Sequence, residues 1–212
     1  GRWASIEALK QGVDISMITS ACTARIMSNH LDEREKAWQL IHSPAVGLSP
    51  DKESFAAMVR EALYTGKIIA YAQGFSLMQD ASRLYGWNLD LGKIASIFRA
   101  GCIIQAVFLN DITHAFEAEP KPENLIFDGF FLSRINEHQD SLRQAVSTGV
   151  MNGLPIPALC NAVSYLDEFR AKAAGANLIQ AQRDCFGAHT YERTDREGVF
   201  HHEWRWANDN QH

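Results

Sequence analysis

The sequence predicts an all-α protein, built as a multi-helix bundle around long central helices and followed by an irregular C-terminal tail. Between Phe55 and Ala70, apolar residues recur at three- and four-residue steps, as they do on one face of a helix. No segment of useful length alternates with a period of two residues, so no strand competes. With 212 residues and 46% hydrophobic composition, the chain is long enough to bury one good-sized core.

Capping residues locate the longest helix. Ser49-Pro50-Asp51 combines a cap, a proline in the first turn and an acid that faces the helix dipole, so we expect a helix to begin there. It is expected to run to Tyr85 and to end at Gly86. Gly66 and Gly74 lie inside this helix, where each glycine costs up to about 1 kcal/mol relative to alanine. We therefore expect both glycines to allow the close approach of a neighbouring helix.

The other helices follow the same periodicity, and short loops marked by proline or glycine separate them. Two long apolar helices near the middle of the chain are expected to form the core of the bundle. The remaining helices are predicted over residues 6–11, 14–42, 90–119 with a weak point at 100–101, 124–136, 140–152, 157–173 and 177–186.

The segment 187–212 has no helical period, yet it contains four large aromatic side chains, at positions 191, 200, 204 and 206. Leaving a large apolar side chain in water forfeits roughly 1.5–3 kcal/mol. We therefore predict that residues 1–186 form one helical domain and that residues 187–212, the tail, dock on a second subunit. Docking of this kind indicates a symmetric homodimer. The alternative is a tail that folds back on its own domain.

Composition excludes several classes of function. The formal net charge is −5 and no Lys/Arg tract occurs, which gives no support for nucleic acid binding. No apolar run reaches the length of a membrane span and no secretion signal is present, so no membrane association is expected. The four cysteines are far apart and form no C-x-x-C pair, which indicates buried, reduced thiols and a cytoplasmic location. The eight histidines show no metal-ligand spacing, so no metal is expected.

The run of residues 177–193 contains the strongest functional signal. It is predicted to be a short helix that Asn177 caps at the start and Gly187 ends in a left-handed conformation. Arg183 lies near the end of this helix, and His189 follows the stop. A guanidinium fork beside an imidazole suits a multiply charged oxyanion such as a phosphate ester.

The alternative is an ordinary helix end, in which Arg183 pairs with Asp184 or with another neighbour. What distinguishes the two hypotheses is the length and order of the run. Residues 182–192 read Gln-Arg-Asp-Cys-Phe-Gly-Ala-His-Thr-Tyr-Glu, which closely resembles the C-terminal signature of the decarboxylating 6-phosphogluconate dehydrogenase family.

Further segments, in chain order and over nearly the whole chain, are similar to the same family. The resemblance implies that family's all-α C-terminal domain. One position departs from the pattern, because Ala100 replaces the first glycine of the family's Arg-Gly-Gly-Cys-Ile-Ile run. The similar segments are Gly1-Arg2-Trp3, residues 18–28, residues 67–75, Trp87-Asn88-Leu89, residues 99–104 and residues 198–201.

The resemblance also implies roles for three residues. The family oxidises 6-phosphogluconate at C3 with NADP and then releases CO2 to give ribulose 5-phosphate, a step of the pentose phosphate pathway. Arg25 matches the family arginine that binds substrate within its own subunit. Arg183 and His189 match the arginine and histidine that reach the substrate pocket of the partner subunit. From the residues alone, the alternative for Arg25 is a surface or interface salt bridge.

Other parts of the family pattern have no match in this sequence. It contains no glycine-rich turn after a strand, no Lys-x-x-His-Asn segment with a lysine general base, and no match to the glutamate general acid. We expect an excised domain or processed fragment that has no catalytic residue and is inactive alone. The alternatives are a standalone helical dimerisation module and a domain of a related β-hydroxyacid dehydrogenase. Arg183 and His189 argue against the latter, because a single carboxylate needs fewer cationic partners.

Overall fold

A computed structural model describes residues 1–43, 47, 51–99, 101–173 and 175–204. The described residues are mainly helical, with one short two-stranded hairpin, so the predicted all-α class is confirmed. The elements are α1 (Arg2–Gln11), α2 (Ser16–Met27), α3 (Leu31–Leu40), α4 (Lys52–Tyr85), α5 (Leu91–Ile97), α6 (Leu109–Glu117), a 3-10 turn (Leu125–Phe127), α7 (Gly129–Met151), α8 (Pro157–Arg170), α9 (Ala176–Gly187), β1 (Tyr191–Glu192) and β2 (Val199–Phe200).

The chain divides into two compact units, and the boundary between them falls within α8. The first unit is Gly1–Leu166 and the second is Asp167–His212. The tail lies inside the second unit, together with α9. The predicted functional division into residues 1–186 and 187–212 stays a prediction.

The predicted end of the long helix α4 at Gly86 is confirmed, whereas its start lies later than predicted, because Asp51 is itself the capping residue and Lys52 is the first helical residue. The Asp51 carboxylate accepts a hydrogen bond from the Ser54 N–H at 2.9 Å, which satisfies one free donor of the first turn. At the other end, Gly86 takes a left-handed conformation with φ 66°. Ser49 and Pro50, the other two residues of the predicted start, lie outside the described residues.

The core of the first unit forms where α4 packs against α7, with α5 and α6 beside them. Aromatic rings fill its centre. Phe108 meets Tyr64, Tyr71 and Phe131 edge-on, with ring centroids 5.5 to 5.7 Å apart. Each large apolar side chain that this core removes from water contributes roughly 1.5–3 kcal/mol. The largest apolar side chains that are fully buried are Phe75, Phe108, Phe131, Ile68, Ile69, Ile112, Leu125 and Leu142.

Only one of the two glycines inside α4 is required by close packing. A Cβ on Gly66 would lie 2.8 Å from Leu159 Cδ2 and 3.3 Å from Met17 Cε, so close approach is confirmed there. A Cβ on Gly74 would lie 3.9 Å from Ile18 Cδ1, which is ordinary van der Waals contact. The prediction was therefore wrong for Gly74.

Two predicted long helices are each broken. The predicted helix 14–42 is α2 and α3, because the Ser28 hydroxyl donates to the Arg25 carbonyl at 2.7 Å where the helix would otherwise continue. The predicted helix 90–119 is α5 and α6, separated by a non-helical segment in which Gly101 has φ 83°. The weak point predicted at 100–101 lies in this segment, and Ala100 itself is outside the described residues.

The opposite error occurs in α7. The predicted helices 124–136 and 140–152 are one continuous helix, Gly129–Met151, which a 3-10 turn precedes. No glycine or proline lies between Gly129 and Gly149, so nothing in the local chemistry ends the helix there. Polar residues at 136–140 indicate a solvent-facing stretch of helix rather than a loop.

Two further predictions, on the cysteines and on membrane-spanning helices, can be compared with the structure. The four cysteines are free thiols, as expected, but they are half-buried rather than buried. Within the described ranges, no helix combines the length and apolar character needed to cross a membrane.

Candidate functional site

Of the three predicted site residues, Arg25 belongs to the first unit. It lies in the last turn of α2 and is exposed. Its Nη1 donates to Ser28 Oγ at 2.6 Å and to Asn29 Oδ1 at 2.9 Å. Both partners are neutral, so these bonds orient the guanidinium group without neutralising it. Among the described residues, no carboxylate forms an ion pair with Arg25.

Arg183 and His189 belong to the second unit, where both are exposed near the end of α9. Arg183 Nη1 donates to Gln180 Oε1 at 3.0 Å. In the alternative hypothesis, pairing of Arg183 with Asp184 is wrong, because Asp184 is fully buried and binds other donors. Pairing with another neighbour does occur, as the bond to Gln180, but that partner is neutral. Consecutive residues of a helix point about 100° apart, which separates the exposed guanidinium group from the buried carboxylate.

The predicted N-cap of α9, Asn177, is wrong. The helix begins at Ala176 with Gly175 in the capping position, and no side chain caps it. Asn177 therefore lies in the first turn rather than before it. The sequence signal misled because Gly175 can also occupy an N-cap position.

The predicted stop of α9 is also displaced by one residue. Ala188, not Gly187, takes the left-handed conformation, with φ 51° and ψ 40°. Gly187 has a different purpose: a Cβ there would lie 3.2 Å from Nε2 and 3.3 Å from Cδ2 of His189. The missing side chain of Gly187 thus lets the His189 ring lie against the helix end.

Asp184 is a buried residue of this region that the sequence did not predict. Its side chain is fully buried, and four donors surround it. Oδ1 accepts from the Thr190 N–H at 3.0 Å and lies 2.8 Å from Nδ1 of His201. Oδ2 accepts from the His202 N–H and from Nε1 of Trp204, each at 3.0 Å. One carboxylate therefore ties the tail to α9 at several points.

Burial by itself raises the pKa of Asp184, because a dry site disfavours the charged form. The hydrogen bonds from His201, the His202 N–H and Trp204 outweigh burial and hold the pKa well below its usual range. Asp184 is therefore an anion at neutral pH. A sequence signal was available, since a carboxylate in the last turn of a helix opposes the macrodipole and needs partners elsewhere.

A short hairpin follows the helix end. β1 pairs antiparallel with β2, with Tyr191 opposite Phe200 and their ring centroids 6.2 Å apart. The sequence did not predict these strands, because two residues are too few to show a period of two. In the described residues, Tyr191, Phe200 and Trp204 all pack or bond within the second unit, while Trp206 lies outside the described residues.

Gln180 joins Arg183 to the loop that carries His189. Its Oε1 accepts from Arg183, and its Nε2 donates to the carbonyl oxygen of Thr190 at 2.5 Å. The guanidinium group and the residue after His189 are therefore held by one side chain. This arrangement presents two nitrogen-donor groups to solvent at one end of α9, as an oxyanion site requires.

The second unit also contains a groove of about 600 Å³ between α9 and the hairpin. The groove is lined by Asn177, Gln180, Ala181, Tyr191, Glu192, Arg193, Thr194, Asp195, His202 and Trp204.

Among the described residues of the chain, no group of three or more His, Cys, Asp or Glu side chains is arranged to hold a metal ion.

The chain is a helical domain in which the cationic end of α9, formed by the exposed Arg183 with His189 after it, is the candidate site. Residues 1–204 match the family model described as "6-phosphogluconate dehydrogenase, C-terminal domain". The chain belongs to the 6-phosphogluconate dehydrogenase family. The resemblance found in the sequence is thus confirmed over nearly the whole chain.

Individual relatives agree. A decarboxylating 6-phosphogluconate dehydrogenase from Lactococcus lactis subsp. lactis (strain IL1403) is 48% identical over 204 residues, which cover 96% of this chain and 43% of the relative. The enzyme of the same name from Staphylococcus aureus (strain N315) is 47% identical, with 96% and 44% covered. The chain therefore spans less than half the length of these relatives.

A solved structure shows the same fold. The 6-phosphogluconate dehydrogenase of Plasmodium falciparum matches with a TM-score of 0.90 and 38% identity, over 96% of this chain and 44% of that one. That enzyme was described in its apo form, with its cofactor NADP+ and with its substrate 6-phosphogluconate.

Proposed function

We propose that this chain is the substrate-binding and dimerisation domain of an NADP-dependent, decarboxylating 6-phosphogluconate dehydrogenase of the cytoplasm. The observation that carries the proposal is the cationic end of α9, where Arg183 and His189 are exposed and Gln180 joins them through Thr190. The family membership supports the same substrate class.

In the proposed site, the phosphate group of 6-phosphogluconate is bound by Arg25 of one subunit together with Arg183 and His189 of the partner subunit. Guanidinium groups bind a phosphate dianion bidentately, and an imidazole adds one more donor. All three side chains are exposed and none forms an ion pair in the described part of the chain. Each arginine uses Nη1 for neutral neighbours, which leaves its other guanidinium donors for a phosphate group.

Binding the phosphate end fixes the orientation of the sugar acid. NADP supplies the acceptor for the hydride that leaves C3. The residues of this chain hold the substrate so that the C3 hydrogen faces that acceptor, and they need not take part in proton transfer. Loss of CO2 then gives ribulose 5-phosphate. The cofactor site and the proton-transfer groups belong, in this proposal, to the part of the enzyme that this chain does not span.

The homodimer is supported by apolar side chains on α9 that the chain leaves exposed. Leu178, Ile179 and Phe186 are 70%, 59% and 74% exposed. Apolar side chains grouped on one short helix favour a partner surface that covers them. A second copy of this chain, related by a two-fold axis, is the partner that we propose.

Arg183→Ala in the full-length enzyme tests the substrate role. Loss of a charged hydrogen-bond donor costs about 1.5–3 kcal/mol, so the KM for 6-phosphogluconate should rise roughly 10- to 100-fold while the KM for NADP stays the same. Arg170→Ala is the matched control, because Arg170 is also exposed and also bonds a side chain three residues earlier, Asp167. An unchanged KM for 6-phosphogluconate in Arg183→Ala would refute the role.

A further inference from the structure

We propose that Asp184 is a positioning residue for the substrate site: its buried carboxylate fixes the loop 188–190 and thereby the place of His189. This inference rests on the proposed function, because it assigns His189 to the phosphate group. Asp184 does not touch substrate in this proposal. It acts through the backbone on either side of His189.

Asp184 holds both flanks of His189. Its main-chain carbonyl accepts from the Ala188 N–H at 2.9 Å, and its carboxylate accepts from the Thr190 N–H at 3.0 Å. Ala188 and Thr190 are both in the left-handed region, with φ 51° and 61°. Residues other than glycine keep this conformation only where the surroundings impose it. The two bonds to Asp184 are such a constraint, one before His189 and one after it.

The position of the ring follows from this loop. The Thr190 carbonyl accepts from Gln180, and the hydroxyl of Thr190 donates to the His189 carbonyl at 2.7 Å. The imidazole lies against Gly187 at the helix end. Among the described residues no hydrogen bond holds the ring itself, so the backbone of residues 188–190 sets where the imidazole lies.

The geometry requires a carboxylate and not an amide at position 184. Oδ2 faces two groups that can only donate, the His202 N–H and the Trp204 indole N–H. An asparagine would turn its oxygen to these donors and its NH2 to the Oδ1 side. His201 could accept from that NH2 by changing tautomer, but the Thr190 N–H could not. Asp184→Asn is thus expected to release the loop at Thr190 while it keeps the contacts with 202 and 204.

The test is Asp184→Asn in the full-length enzyme. We expect the KM for 6-phosphogluconate to rise about 10-fold, since a displaced binding group loses its alignment, while the KM for NADP stays within about twofold. Amide hydrogen exchange should become faster in a peptide that covers residues 188–191. The matched control is Trp204→Phe, which removes one donor from Oδ2 and leaves the Thr190 bond in place. It should leave the KM for 6-phosphogluconate within about twofold.

A double variant separates positioning from general stability. If Asp184 acts through His189, then Asp184→Asn should raise the KM no further in a His189→Ala background. A further rise equal to that in the wild-type background would overturn the inference. The inference is also overturned if His189→Ala raises the KM for 6-phosphogluconate but Asp184→Asn does not. That result would still be consistent with the proposed function. If neither His189→Ala nor Arg183→Ala raises the KM, the proposed function and this inference both fall.

A chemical variant covers the case in which Asp184→Asn does not fold. Cys185 permits ligation of a synthetic peptide that begins there. Replacing the Thr190 amide by an ester removes the N–H that Asp184 binds and keeps every side chain. The same rise in the KM for 6-phosphogluconate is expected, and an unchanged KM in a folded dimer would overturn the inference.

Discussion

The two units of this chain are stabilised by different interactions. The first is built around fully buried apolar side chains that α4 and α7 bring together. The second, in its described part, is organised by one buried carboxylate, Asp184, which binds four donors from the tail. An apolar core therefore supports the scaffold, whereas a polar centre fixes the segment that carries the candidate binding residue His189.

The same contrast explains what the sequence could predict. Apolar periodicity and caps found α4 with its end at Gly86 and placed its start within a few residues of Lys52, because these signals are local. The motif at 182–192 located Arg183 and His189 at one helix end, as the structure shows. The partners of Asp184 were not predictable in this way, because three of them lie 17 to 20 residues further along the chain. Long-range polar contacts leave no period in a sequence.

The errors in helix boundaries have a related cause. The break after α2 depends on the Ser28 hydroxyl, which donates to the Arg25 carbonyl. Helix propensity scales give little weight to a side chain that competes with the backbone for such a carbonyl. The continuous helix α7 spans two predicted helices, because the polar residues 136–140 interrupt the apolar period without ending the helix. Ala188 took the left-handed position expected of Gly187, since Gly187 is needed to make room for His189.

The largest effect should follow from removing a ring of the apolar core. Phe131→Ala is expected to destabilise the first unit by about 3–5 kcal/mol, because Phe131 is fully buried and the cavity cannot collapse completely. Phe130→Ala is the matched control, because Phe130 is the preceding residue of α7 and is 38% exposed. Its loss should cost about 1 kcal/mol. Denaturant unfolding followed by hydrogen exchange in α4 and α7 measures both, and equal losses in the two variants would contradict the description of this core.

A smaller effect should come from acid, and it should fall on the second unit. The pKa of the Asp184 carboxylate is lowered in the folded state, so its contribution to stability is complete above about pH 4 and is lost as the pH falls further towards the folded pKa. Hydrogen exchange, corrected for the intrinsic rate at each pH, should quicken in peptides covering 188–191 and 199–204 below about pH 4. In Asp184→Asn this additional loss should be absent. If these peptides stay protected from exchange down to the same pH as peptides of α4, then the Asp184 carboxylate is not what holds them in place.

Mixed dimers provide the sharpest test of the proposed substrate site, in which Arg183 and His189 of the partner subunit would lie with Arg25. Arg25→Ala and Arg183→Ala homodimers of the full-length enzyme would each be purified, and then dissociated and reassociated together. A mixed dimer has one site with both arginines native only if the site is shared between subunits. We predict that activity at low 6-phosphogluconate rises to about a quarter of the wild-type value, since about half of the dimers are mixed and each has one intact site. Activity that stays at the mean of the two separate variants would show that the site is not shared.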